Sequence, residues 1–317
     1  MNKTRIITFA ATLAIFLTSS LAIVAQEVPP TESDVAYGEH PKQLMHFWQA
    51  ESDEPTPLLF FIHGGGWNAG DRMNRQLLSM LPNLLENDIS AVSIEYRFIR
   101  EAIEEGVEPP VHAPLHDAAR ALQFVRSKAV EWNIDPDRIV ACGGSAGACS
   151  SLWLTFHDDL ADLDSEDLIS RESSRLLSAA VIGAQTTLDP RQMKEWTPNS
   201  RYGSHAFGIF KEGGQAYQSD FEAFLARRDE ILPWINEYSP YALVSSDDPP
   251  VYLFYSQPPA LGEDQSDPTH TSNFGVKLQE QLSSVGVKSE LVYPGAPDVE
   301  HETVEAYLID CLTSPVE

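Results

Sequence analysis

Arg138-Ile139-Val140-Ala141-Cys142-Gly143-Gly144-Ser145-Ala146-Gly147 is the stretch on which the fold turns. Its first half is short, apolar and β-branched, the pattern of a buried strand. Its second half fits G-x-S-x-G, a serine on a sharp strand-to-helix turn. Gly143 and Gly147 remove the Cβ atoms that would clash where strand and helix pass. Ala146, Gly147 and Ala148 then lead through Cys149 into Ser151-Leu152-Trp153-Leu154, which reads as a helix. Its N-terminus favours negative charge developing at the serine. Alone, the motif also fits a glycine-rich turn with an incidental serine.

A second motif lies upstream. Leu58-Leu59-Phe60-Phe61-Ile62 is a continuous apolar run, as expected of a parallel strand covered on both faces. His63-Gly64-Gly65-Gly66-Trp67 follows at once. It fits a loop that turns backbone N–H groups toward an oxyanion. The expected donors are the amides of Gly64 and Gly65 with that of Ala146, the residue after the serine. Such donors act on charge that appears only in the transition state. Two complementary parts of one acyl-transfer site, in the right order, point to a nucleophilic serine at 145.

These residues resemble the esterase branch of the α/β-hydrolases, the group that includes hormone-sensitive-lipase-like and feruloyl-esterase-like carboxylesterases. Phe61–Trp67 with Gly70-Asp71 is similar to the oxyanion loop of the latter, and Asn133–Ile139 to its lead into the nucleophile strand. The resemblance runs from about residue 36 to the C-terminus and is poorest between 158 and 235. It implies an α/β-hydrolase fold, with a mainly parallel central sheet and helices on both faces. It also implies a cap-like insertion after the sixth strand, placed at 188–245.

The same resemblance implies a triad in the order Ser, Asp/Glu, His. After Ser145 come His157, His205, His270 and His301. The base is expected beyond the last strand, read at Ser289–Tyr293, which selects His301. His157 and His205 come too early, and His270 lies too near the acid loop. The acid is expected after the strand Val251–Tyr255. Asp267, shortly before the helix-like Phe274–Leu282, is chosen there, with Asp264 in reserve. One departure bears on His301. Related sequences place the histidine one residue beyond Tyr-Pro-Gly-Ala-x, where this chain has Tyr293-Pro294-Gly295-Ala296-Pro297 and then Asp298. Either a longer loop still delivers His301, the reading adopted, or the histidine is lost.

The implied activity is hydrolysis of small or medium carboxylic esters through an acyl-enzyme, with acyl groups on polysaccharides as one substrate class. It needs no cofactor and no metal. The alternatives are a catalytically silent hydrolase-fold binding protein and an amidase or peptidase using the same triad. Trp67 and His205 are the candidate pocket residues. The aromatics of 188–245 fit either a substrate pocket or a satellite core.

Around these motifs, strands are expected at Lys42–Ala50, Ile89–Tyr96, 138–142, 179–184, 251–256 and 289–293. Helices are expected at Pro114–Trp132, from 146, at 274–284 and at 302–312, with a loop at 97–113. That alternation is the pattern of a parallel sheet between helices.

The chain has 317 residues, 43% of them hydrophobic, enough for one α/β domain with insertions. Residues 1–25 read as a secretory signal peptide: Lys3 and Arg5, a mostly apolar Ile6–Phe16, then small residues with cleavage after Ala22 or Ala25. An uncleaved anchor is the alternative. Residues 26–36 are a flexible lead and 37–317 a single domain. Export to the periplasm or medium, with no stable membrane partner after cleavage, is the expectation. A formal net charge of −26 argues against nucleic acid and anionic membranes as partners. Cys142, Cys149 and Cys311 read as small buried residues, with a Cys142–Cys149 bridge as the alternative.

Overall fold

A computed structural model describes residues 28–213 and 218–315; the segment read as a signal peptide lies outside them. Eight strands form one sheet: β1 (Glu32–Ala36), β2 (Leu44–Trp48), β3 (Thr56–Ile62), β4 (Ser90–Ile94), β5 (Ile134–Gly144), β6 (Ser178–Ile182), β7 (Val251–Phe254) and β8 (Ser289–Val292). Their order is β1-β2-β4-β3-β5-β6-β7-β8. β1 and β2 pair antiparallel, as do β2 and β4, and every other pairing is parallel.

The helices are α1 (Arg75–Glu86), α2 (Ile99–Glu104), α3 (His112–Ser127), α4 (Ala146–Phe156), α5 (Pro190–Trp196), α6 (Phe221–Ala226), α7 (Leu232–Tyr238), α8 (Pro240–Leu243), α9 (Asn273–Ser284) and α10 (Val304–Thr313). Side chains alternate across the sheet, as the two-residue period of a strand requires. Leu58, Phe60 and Ile62 enter the core beneath α3, α4 and α9, while Leu59 and Phe61 enter the one beneath α1 and α10. The mainly parallel sheet covered on both faces is the α/β-hydrolase architecture expected from the sequence. Among the described residues, no helix is long and apolar enough to cross a membrane.

Two expectations change. The lead at 26–36 ends in β1, because Glu32, Val35 and Ala36 find partners along the exposed edge of β2. The loop at 97–113 contains α2, opened by Glu101 Oε2 accepting the backbone N–H of Phe98 at 3.0 Å. As the sequence reading expects, the cysteines are free; Cys311 is only part-buried, while Cys142 and Cys149 are buried in cores on opposite sides of the sheet. Burial raises both thiols well above the ordinary range, Cys142 to about 12.

The insertion carries α5 to α8, and Trp196, Phe207, Phe224 and Tyr238 are buried in the same core as the sheet. These four aromatics therefore form packing beneath the insertion.

Strand β3 and helix α4 touch through backbone. A Cβ at Gly147 would lie 2.1 Å from the Ile62 carbonyl oxygen and 2.7 Å from that of His63. Gly147→Ala is therefore expected to lower the unfolding free energy by about 1–3 kcal/mol, the usual cost of forced overpacking. Urea unfolding measures it, and an unchanged midpoint would show that helix and strand have room to part.

Candidate active site

Ser145 caps α4 in a conformation that L-residues seldom adopt, with φ 54° and ψ −121°. Holding a non-glycine residue there costs about 1–3 kcal/mol and persists only where neighbours over-determine it. Here the Ser145 N–H donates to the Ile182 carbonyl of β6 at 2.9 Å, and its carbonyl accepts from Cys149 N–H at 3.0 Å. The strain lifts the side chain off the C-terminal edge of the sheet. Ala146 begins α4, so its N–H has no acceptor within the helix.

Ser145 Oγ lies 2.9 Å from His270 Nε2. His270 Nδ1 lies 2.7 Å from Asp267 Oδ2, on the same loop after β7. Partial burial pushes the Asp267 carboxyl up, but the His270 ring and the N–H groups of Thr269 and His270 more than offset this and hold it below the usual carboxylate range. Asp264, the reserve acid, is exposed on the same loop.

His301 does not reach the serine. Its Nδ1 meets Glu290 Oε2 at 2.8 Å and its Nε2 lies 3.4 Å from Asp310. The backbone N–H groups of Glu300 and His301 also donate to Glu290 Oε1, at 2.9 and 2.6 Å. Glu290 thus clasps the turn after β8 and folds the longer loop back toward Pro250, Val251 and Ser289, at the opposite end of the sheet. Burial lowers the His301 pKa, but Glu290 and Asp310 outweigh it and raise it overall. Among the described residues, Glu290, Glu300 and His301 bring possible metal-ligating atoms within 4.8 Å of one another. The Glu290 carboxylate is already occupied by the clasp.

The sequence matches a known family. Its BD-FAE model matches residues 46–272, more than half of the chain. This chain belongs to the BD-FAE family. The matched stretch takes in Ser145, Asp267 and His270 and stops short of His301. Among curated relatives, gut esterase 1 of Caenorhabditis briggsae is 32% identical over 124 residues, covering 38% of this chain and 22% of that protein. The chain spans less than a third of the length of the first curated relatives it matches. An acetyl ester-xyloside bifunctional hydrolase from Caldicellulosiruptor lactoaceticus superposes with TM-score 0.60 at 22% identity, covering 84% of this chain and 86% of that one. A truncated carbohydrate esterase from gut microbiota superposes with TM-score 0.65 at 18% identity, covering 92% and 99%. Both share the fold.

In this BD-FAE chain the loop after β3 is held from below. Gly65 has φ +107°, and a Cβ there would lie 2.0 Å from the Ala69 carbonyl oxygen. His63, fully buried, points Nδ1 at the Gly64 carbonyl (2.7 Å) and Nε2 at Glu95 (3.2 Å). Tyr96 stacks on that ring and donates its hydroxyl to the His63 carbonyl at 2.7 Å.

Trp67 and His205, expected to line a pocket, stand behind the loop instead. Trp67 is turned inward and donates Nε1–H to Ser150 Oγ of α4 at 3.0 Å. His205 Nε2–H donates to the Gly66 carbonyl at 3.1 Å, while Nδ1 accepts from Ser219 at 2.9 Å. Both are large rings whose polar atoms found backbone and hydroxyl partners inside the core.

A cavity of about 550 Å³ opens over the serine. Gly64, Gly65, Ser145, Asp267 and His270 line it, together with Asn74 and Gln76 of the α1 N-terminus, which the sequence analysis did not single out. The sequence reading favours His301 over His270 as lying beyond the last strand, and the structure reverses the choice. The signal for His270 was the three-residue spacing from Asp267, which puts acid and base on one turn.

Burial lowers the pKa of His205 to about 4, with the Gly66 hydrogen bond opposing it weakly. Above pH 6.5 the ring is neutral in both folded and unfolded chains. Between about pH 6.5 and 4 only the unfolded chain binds the proton, so stability falls with pH across that window. The full shift is worth up to about 3 kcal/mol. Urea unfolding at pH 7 and 4.5 is expected to show a smaller acid loss in His205→Gln than in the unmutated protein. An equal loss would assign the acid sensitivity elsewhere.

Proposed function

We propose that this BD-FAE member is a serine carboxylesterase with Ser145 as nucleophile, His270 as base and Asp267 as the acid that orients it. One observation carries the reading: a serine on a strained turn hydrogen-bonded to an imidazole whose other nitrogen faces a carboxylate. His270 Nε2 takes the Ser145 proton as Oγ attacks the ester carbonyl carbon. The N–H groups of Gly64, Gly65 and Ala146 stabilise the oxyanion. The C–O bond to the alcohol then breaks, and His270 returns its proton to the leaving oxygen. Water, activated by the same base, attacks the acyl-enzyme and releases the acid.

Esterases and carbohydrate esterases among its relatives and fold neighbours support small acyl groups, those carried by polysaccharides included. Export guided by residues 1–25 suits such a substrate.

Initial rates on p-nitrophenyl acetate, butyrate and octanoate and on methyl ferulate test this. Ser145→Ala and His270→Ala are each expected to lose at least about a thousandfold in kcat, since triad members act as a unit. Asp267→Asn is expected to lose about a hundredfold or more, through the wrong imidazole tautomer. His301→Ala should keep kcat while losing stability with its Glu290 clasp. Undiminished turnover in Ser145→Ala would refute the mechanism.

A further inference from the structure

His270 stands against Ser145 on a loop that has little packing of its own. Of residues 261–270 only Pro268 is buried, and the side chains of His270 and Asp267 are 39% and 55% exposed. Asp267 Oδ1 accepts the backbone N–H groups of Thr269 and His270 at 3.1 and 3.3 Å. Those bonds shape the loop but leave its distance from the serine open.

Strand β6 reaches both sides of that gap. The carbonyl of Ile182, its last residue, accepts the Ser145 N–H. Gly183, which follows, lies against the imidazole: a Cβ there would be 3.3 Å from His270 Cβ and 3.5 Å from Cδ2. Gly183 has φ +58° and donates its N–H to the Phe254 carbonyl of β7 at 2.9 Å. Gln185 closes the joint. Fully buried, it donates from Nε2 to the Gly183 carbonyl at 3.1 Å and to the Thr269 carbonyl at 2.8 Å. One amide therefore joins the glycine beside the ring to the residue before it. Its Oε1 is buried with no partner. Turning the amide over would set that oxygen against two carbonyl oxygens, so the two donations fix its orientation. A buried acceptor left bare lowers stability, and an apolar side chain of this shape would carry none. What the amide contributes is its grip on Thr269.

We propose that Gln185 is a positioning residue: it holds the His270 loop at the distance from which Nε2 reaches Ser145 Oγ. Its full burial keeps it from touching substrate. The inference rests on the serine-esterase reading and adds to it the residue that sets the contact between nucleophile and base. A misplacement of about 1 Å at such a contact costs about a hundredfold in rate.

Gln185→Met in the full chain keeps the length and removes both donors. On p-nitrophenyl acetate it is expected to lower kcat about ten- to a hundredfold, with KM changed by less than about twofold. A fluorophosphonate separates this from damage to the fold. Its final labelling counts intact sites, and its rate constant reports how well His270 activates Ser145. Positioning predicts full labelling at a rate lowered about as much as kcat. In a His270→Ala chain the same change is expected to have no further effect on kcat, because the group it places is gone. Should Gln185→Met fail to fold, Gln185→Asn, an amide one methylene short of Thr269, is expected to show the same pattern. Unchanged kcat, incomplete labelling at an unchanged rate, or an equal loss in both backgrounds would overturn the role of Gln185 and leave the esterase intact. An unmutated chain that hydrolyses no ester and resists the fluorophosphonate would instead remove the esterase reading, and this inference with it.

Discussion

The approach of α4 to β3 at Gly147 is the constraint on which the site depends. Helix backbone and strand carbonyls meet there with no side chain between them, and Gly143 on β5 faces the same Ile62 oxygen. With that distance fixed, the chain between Gly143 and Gly147 has few conformations left. Ser145 takes the strained one, secured by its N–H on the Ile182 carbonyl. The same contact sets the Ser145 turn against the loop after β3, where a Cβ on Gly64 would touch Ser145 Cβ at 3.4 Å. The Ser145 turn and the glycine loop after β3 are thus placed by one packing event.

That loop needs support of its own, because a run of glycines has much conformational entropy to lose. The support comes from buried polar groups that spend their hydrogen bonds on its backbone. His63 takes the Gly64 carbonyl, Tyr96 the His63 carbonyl and His205 the Gly66 carbonyl. Glu95 completes the base of the loop, facing His63 at 3.2 Å and Lys42 at 3.5 Å. Buried groups so paired rigidify a structure, whereas the same groups unpaired would destabilise it.

The sheet, the turn at Ser145 and the glycine loop after β3 were legible because each is local. Apolar runs such as Leu58–Ile62 and the turn at Ser145 carry their reasons within a dozen residues. The histidine that faces Ser145 was not legible by position. Choosing between His270 and His301 depends on where a loop folds, and Glu290 decides that for His301 through three hydrogen bonds made across the turn. A strand glutamate that captures two backbone amides has no signature in sequence. The reading of Trp67 and His205 failed for a related reason. Aromatic and imidazole side chains suit a pocket wall and a core equally well, and only the partners available inside separate the two.

Asp267 and His270 lie three residues apart on one loop, so their mutual geometry is set by a single turn. The distance from that turn to Ser145 is set by other means. Gln185, after β6, donates from one amide nitrogen to the Gly183 and Thr269 carbonyls, tying the His270 turn to the strand that also fixes Ser145. Asn273, fully buried at the start of α9, donates to the carbonyls of Trp196 and Ala260 and to the Thr197 hydroxyl. The insertion therefore meets the His270 loop through Asn273. Packing changes under α5 would move His270 and Asp267 together, leaving the imidazole correctly oriented but displaced from Oγ. Such a change would lengthen the contact between Ser145 and His270 without disturbing the histidine–aspartate pair. In this fold the insertion thus sets, from the far side, how His270 stands against Ser145.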